Sequence, residues 1–265
     1  MTEKSITPTD LPPIFAVFQA GNCVFAGPRF LEEIEERSCL SDLIKSRRRL
    51  TSCPPWQILT NRFTLKGNEH ALLSFVPDEG NAPTRAEVEL AALPLTEFFR
   101  DLLICTDPRF TVIEPLSPKL LFAALSRDLS SEICDRIAVT PPLGIKEGLT
   151  EIAPRGLYYA IGLLLASYYY GGENERTDDA ALSLLSLPEE YQIQLKIPMH
   201  RASDFLVDLL DALASASKFT ITREQDVYLF SLPATRASAL PLRAHPEAEL
   251  PELLLRVRRL FSDQK

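Results

Sequence analysis

Apolar and polar positions along this chain mark out its elements before any chemistry is considered. Residues 14–18 and 23–26 are β-rich runs on either side of Ala20-Gly21-Asn22, a tight turn where glycine meets the demand for positive φ. Gly27-Pro28 ends the second run, and Phe30, Leu31 and Ile34 begin a short helical pattern. Residues 56–65 and 70–76 make a second strand pair joined by Lys66-Gly67-Asn68-Glu69. Two strands, short helices and two more strands within one short stretch predict a small sensor-like α/β unit over residues 11–80.

Asp78 to Pro83 has linker composition. Thr84 and Glu87 then have the spacing of a capping box. Val88, Ala91, Ala92, Leu95, Phe98, Phe99 and Leu102 recur at helical spacing, which predicts one amphipathic connector helix within 84–106, kinked at Pro94.

From 112 to 235 the pattern predicts a second α/β unit. Ser117-Pro118 opens a helix with Leu120, Leu121, Ala124 and Leu125, and 133–139 reads as a strand before the loop at Pro141-Pro142 and Gly144. A tyrosine-rich helix over 154–170 is stopped by Gly171-Gly172. Residues 181–187 and 192–197 form a hairpin across Pro188-Glu189-Glu190. A helix over 203–217 carries Leu206, Leu209, Leu210 and Leu213, and 219–221 with 227–232 make the last hairpin. A proline-punctuated linker, 233–246, leads to a helix over 247–262. Its stripe of Leu250, Leu253, Leu254, Val257, Leu260 and Phe261 is expected to pack on its own domain, with a partner-helix role as the other reading.

At 265 residues the chain has room for two modest domains, and 46% apolar with 24% charged residues supports packed cores. The net charge of −8 argues against a nucleic-acid partner. The basic clusters at 45–49 and 256–259 therefore read as solvated helix faces rather than as a phosphate or anionic-lipid patch. No export signal is evident, and the longest uncharged run, 156–172, is broken by glycines and shorter than a membrane span, so a cytoplasmic protein is expected.

Five cysteines without a CxxC pair and three histidines (His70, His200, His245) give no zinc-ligand spacing. Reduced structural thiols are expected. The acidic run Glu32, Glu33, Glu35, Glu36 and the pair Asp178-Asp179 read as solvated faces, since no second cluster completes a cation site. The tyrosines at 158, 159, 168, 169 and 170 could stack on a flat ligand; helix packing with hydroxyls reaching water is the simpler account. No GxSxG, P-loop or HExxH motif occurs.

The order of elements from Ser117 to Pro233 resembles the ATP-binding domain of bacterial sensor histidine kinases, the GHKL-type α/β sandwich. In that family a helix carries an N-L-L-x-N-A box whose second asparagine holds magnesium; the matching stretch here is Gly162-Leu163-Leu164-Leu165-Ala166-Ser167, with Ala166 at the metal position. The D-x-G-x-G box falls on Ile197-Pro198-Met199-His200-Arg201-Ala202, without carboxylate or glycine. The glycine-rich lid is missing too, because no glycine occurs after Gly172. Upstream, Cys23-Val24-Phe25-Ala26-Gly27-Pro28-Arg29-Phe30 is similar to a strand-to-helix junction of PAS sensor domains, with Gly27 where asparagine is usual. Glu89-Leu90-Ala91-Ala92-Leu93-Pro94-Leu95-Thr96 resembles the phosphoacceptor box H-E-L-R-T-P-L-T, with Glu89 replacing the histidine.

The resemblance implies an α+β protein: a PAS-like unit, a connector left from the dimerisation helix, and a GHKL-like sandwich. It implies a non-catalytic relative of two-component kinases that binds a protein partner, a second copy of itself included, or a small ligand. No catalytic, cofactor-binding or metal-binding residue and no cofactor is assigned. The rival readings are a PAS-type small-molecule sensor that shifts a dimer, and an active ATP-binding kinase or unrelated enzyme working through Cys134 or His200.

Overall fold

A computed structural model describes residues 13–34, 40–45, 47–78, 83–142, 144–145, 148–170, 179–198, 202–235 and 249–262. The fold is mixed α/β with two sheets. The chain divides into two compact units: Met1–Asp101 with Ser203–Leu206 and Arg259–Lys265, and Leu102–Ala202 with Val207–Arg258.

In the first unit β1 (Ile14–Gln19), β2 (Asn22–Ala26), β3 (Leu50–Cys53), β4 (Trp56–Leu65) and β5 (Asn68–Pro77) form an antiparallel sheet in the order β2-β1-β5-β4-β3. Both long hairpins turn on two residues of positive φ, Ala20 (49°) with Gly21 (89°) and Lys66 (48°) with Gly67 (81°). That geometry matches the twist of the flanking strands. It also shortens the expected Lys66–Glu69 connection, so that β5 starts at Asn68.

Alternation along the strands packs both faces of the sheet. Ile14, Ala16, Phe18, Ile58, Leu73 and Phe75 join Phe30, Ile34 and Leu40, which come from or follow α1 (Pro28–Glu33) and α2 (Leu40–Lys45). On the opposite face Leu59 meets Val88 and Ala92. Gly27 sits so close to the Phe15 ring that a Cβ there would stand 2.7 Å from it, which excludes the asparagine of the PAS pattern without a shift. Strand β3 has no counterpart in the sequence reading.

The expected single connector helix is two helices, α3 (Arg85–Ala91) and α4 (Leu93–Ile104). Thr84 and Glu87 form the capping box in both directions. Pro94 does not kink a helix interior. It occupies the first turn of α4, where a missing N–H removes no helical bond.

The second unit is built on β6 (Glu114–Leu116), β7 (Ala138–Val139), β8 (Leu149–Ile152), β9 (Ala181–Ser186), β10 (Glu190–Lys196), β11 (Thr220–Glu224) and β12 (Val227–Thr235). Their order is β6-β8-β12-β10-β9-β7, with β11 also on β12 and β7 parallel to β9. Its helices are α5 (Pro118–Glu132), α6 (Pro154–Tyr170), α7 (Asp204–Ser217) and α8 (Leu250–Arg259). The expected strand over 133–139 is corrected: Ile133 caps α5, its N–H bonded to the Leu129 carbonyl, and only Ala138–Val139 pairs. The linker expected from Pro233 does not begin there, because β12 runs on to Thr235 and pairs Ala234 with Thr150. Gly171, Gly172, Met199, His200, Arg201 and His245 lie outside the described residues.

Candidate functional site

Helix α6 carries the stretch that resembles the asparagine box, and it is apolar on every side. Fourteen of its seventeen residues are buried, as expected of a helix with no polar face. Among the described residues, three helices approach it closely. At its start, Gly156 lets α7 come close: a Cβ there would overlap the Ser217 hydroxyl and stand 3.5 Å from the Leu213 carbonyl oxygen. One side meets α5, where the Tyr158 hydroxyl donates to Asp128 at 3.0 Å. Further along, Gly162 lies under α8, and a Cβ on it would be 2.8 Å from Leu254 Cδ2 and 3.8 Å from Val257 Cγ2.

Three of the tyrosine hydroxyls are held by hydrogen bonds within the protein, where the sequence reading expected hydroxyls reaching water. Tyr158 is bound to Asp128, and Tyr170 donates to the Ile133 carbonyl at 2.6 Å. Tyr169 accepts from the Ala180 N–H at 3.0 Å and contacts the Arg136 carbonyl at 3.4 Å. These bonds tie the end of α6 to the segment after α5 and to the entry of β9. Burial raises the Tyr158 phenol well above its ordinary value, with the Asp128 charge adding to the shift. Burial likewise pushes Tyr169 up to about 12.

Gly162 and Ala166, four residues apart, share one face of α6. Ala166 is fully buried, and no side-chain oxygen stands at that position. The face that Gly162 and Ala166 share is occupied at Gly162 by the chain's own α8. The ion pair between Arg155 and Glu249, 3.3 Å, fixes the start of α8 beside the start of α6. Arg155 to Gly162 along α6 and Glu249 to Leu254 along α8 advance together, so the two helices run in the same direction.

The other singled-out residues are dispersed. Glu89, in the stretch that resembles the phosphoacceptor box, lies on α3 and pairs with Arg85 at 3.0 Å and Arg49 at 3.8 Å. His70 is buried in β5, stacked on Phe63 with ring centroids 5.3 Å apart, its Nδ1 3.0 Å from the Asn68 carbonyl. Cys134 Sγ accepts from the Arg136 N–H at 3.4 Å. Glu33 pairs with Arg29 at 2.6 Å. Among the described residues no group of three His, Cys, Asp or Glu side chains is placed to hold a metal ion, and no helix is long and apolar enough to cross a membrane. The contact of Gly162 with Leu254 was missed by the sequence reading; its one signal was a glycine inside an otherwise bulky helix.

No protein-family model matches the chain, and no curated protein matches it. Solved structures that resemble it are histidine kinases. AdeS of Acinetobacter baumannii is 12% identical, covers 61% of this chain and 89% of its own, and gives a TM-score of 0.35. The kinase ThkA, in complex with the response regulator protein TrrA, is 6% identical over 86% of this chain and 97% of its own, with a TM-score of 0.37. The blue-light activated kinase EL346 of Erythrobacter litoralis is 9% identical over 84% of this chain and 95% of its own, with a TM-score of 0.28.

Proposed function

We propose that this chain is a non-catalytic signalling protein on a histidine-kinase-like scaffold, acting by binding a protein partner. The observation that carries this reading is the seat of Leu254 and Val257 over Gly162. A nucleotide would need that face, and the chain fills it with its own helix. Two further features agree. Magnesium takes oxygen ligands, and the residue matching its ligand is a sealed alanine. Glutamate at position 89 cannot carry a phosphoryl group on an imidazole nitrogen, and it is engaged in ion pairs.

Calorimetric titration of the full chain with Mg-ATP tests the reading. No saturable heat is expected at any concentration up to the millimolar range. A micromolar dissociation constant would overturn it, as would phosphate release or self-phosphorylation above a no-protein control.

A further inference from the structure

We propose that the open edge of β9, residues 183–187, binds the same edge of a second copy of this chain, antiparallel about a two-fold axis at Leu185. The alternation of β9 identifies its outward groups. Ala138 and Thr140 of the β7 segment donate to the Ala180 and Leu182 carbonyls, so even-numbered residues of β9 point away from β10. The Leu187 N–H donates to the Glu190 carbonyl, so odd-numbered residues point toward β10. Strand β7 ends at Val139, opposite Leu182. Beyond it the N–H and C=O groups of Leu184 and Ser186 face outward, and among the described residues no strand pairs with them there.

Free sheet edges are ordinarily blunted by charge, by proline or by a covering element. Two other edges of this sheet follow that rule: β6 has Pro115 at its centre, and β11 ends in Arg223 and Glu224. The β9 stretch, Ser183-Leu184-Leu185-Ser186-Leu187, has neither charge nor proline, and Leu185 and Leu187 are 41% and 37% exposed. The register makes another copy the occupant. Leu184 and Ser186, the outward-facing residues, lie one on each side of Leu185. A two-fold axis there sets Leu184 opposite Ser186 of the second copy, and Ser186 opposite Leu184 of the second copy, each pair exchanging both main-chain bonds. Leu185 then meets its own counterpart in the close, non-hydrogen-bonded position, on the exposed face of the sheet. Two chains of net charge −8 thus meet along a seam where neither carries charge. The seam is short, so the dimer is weak and its population follows protein concentration.

Sedimentation velocity on the full chain from about 1 to about 300 µM is the first measurement, and wild type is expected to pass from monomer to dimer within that range. Leu185→Lys, at an exposed position, sets like charges opposite each other and is expected to stay monomeric with an unchanged thermal midpoint. Cross-linking reads the register, in a Cys23→Ser background that removes an exposed native thiol. Leu185→Cys would stand about 4.5 Å from its counterpart between Cα atoms and is expected to form a disulfide on mild oxidation. Ser183→Cys, displaced about 13 Å along the strand from its counterpart, is expected to form none. A wild type that stays monomeric overturns the proposal and leaves the edge to a strand of a different protein. A dimer that survives Leu185→Lys overturns it too, as does equal cross-linking at the two positions. Where Leu185→Lys lowers the thermal midpoint, cross-linking alone decides. Mg-ATP binding, which would overturn the function proposed above, changes none of these outcomes.

Discussion

Tyr158 on α6 donates its phenolic hydrogen to a carboxylate oxygen of Asp128 on α5 across 3.0 Å, and both side chains are buried. The other Asp128 oxygen meets the exposed guanidinium of the adjacent Arg127 at 2.8 Å. A buried carboxylate is tolerated only when its lone pairs are occupied, and here one partner comes from another helix. The pair therefore fixes the rotation of α6 relative to α5, and with it which face of α6 meets α8.

Tyr158→Phe removes that donor and leaves the charge in place. The expected loss is about 1–3 kcal/mol, seen as a lower thermal midpoint. Asp128→Asn, which keeps an acceptor of similar shape and removes the charge, is expected to lose less. Equal midpoints for Tyr158→Phe and wild type would show that the bond contributes nothing.

The buried phenols also set the behaviour at alkaline pH. Both Tyr158 and Tyr169 have folded-state values raised above the ordinary 10.0, mainly by burial. Below that value the phenols are protonated in both states, and their contribution to stability is fully present. Above it the unfolded chain binds fewer protons than the native one, so stability falls as pH rises toward about 12, the Tyr169 value. Urea midpoints across this window are expected to drop, and Tyr169→Phe is expected to flatten the drop. A profile unchanged by that substitution contradicts the assignment.

What could be read from the sequence follows from how local each determinant is. The hairpins at Gly21 and Gly67 were legible because two adjacent residues dictate a two-residue turn. Helices α5, α6 and α7 were legible from periodicity and from Ser117, Pro118 and Ser203 at their starts. Strands β3, β6 and β8 were not, because three or four residues carry no measurable alternation and their partners lie far along the chain. The apolar run at Ile133 and Ile137 imitated a strand because both side chains are buried, although only the two residues after Ile137 pair. The seat of α8 on α6 joins positions more than ninety residues apart. No local pattern announces such a contact. The stripe on α8 was plain, but its acceptor was not.

Placing at position 166 the asparagine of the kinase box that this stretch resembles is a direct test of whether the α6 face can hold a nucleotide. Ala166→Asn places an amide at a position with no exposed surface. Without partners, that amide is expected to lower stability by about 1–3 kcal/mol. It is not expected to confer Mg-nucleotide binding, because Leu254 still stands one turn away over Gly162. Saturable Mg-ADP binding by the Ala166→Asn protein would show that the face remains a cradle with one ligand missing.

The two glycines of α6 should respond differently to the same substitution. Alanine in place of glycine within a helix gains roughly 1 kcal/mol from propensity. At Gly162 the new methyl would meet Leu254 Cδ2 at 2.8 Å, the far end of a side chain that can turn aside, so Gly162→Ala is expected to lie within about 1 kcal/mol of wild type. At Gly156 the methyl would overlap the Ser217 hydroxyl and stand 2.8 Å from Ser217 Cβ and 3.5 Å from the Leu213 carbonyl. The hydroxyl can rotate, but Ser217 Cβ is fixed to the backbone of α7 and cannot give way cheaply. Overpacking of about 1–3 kcal/mol then exceeds the propensity gain, and Gly156→Ala is expected to be the less stable protein. Urea denaturation of the two variants decides it: a Gly156→Ala protein at least as stable as Gly162→Ala would mean that α6 and α7 do not approach as closely as their glycine contact requires.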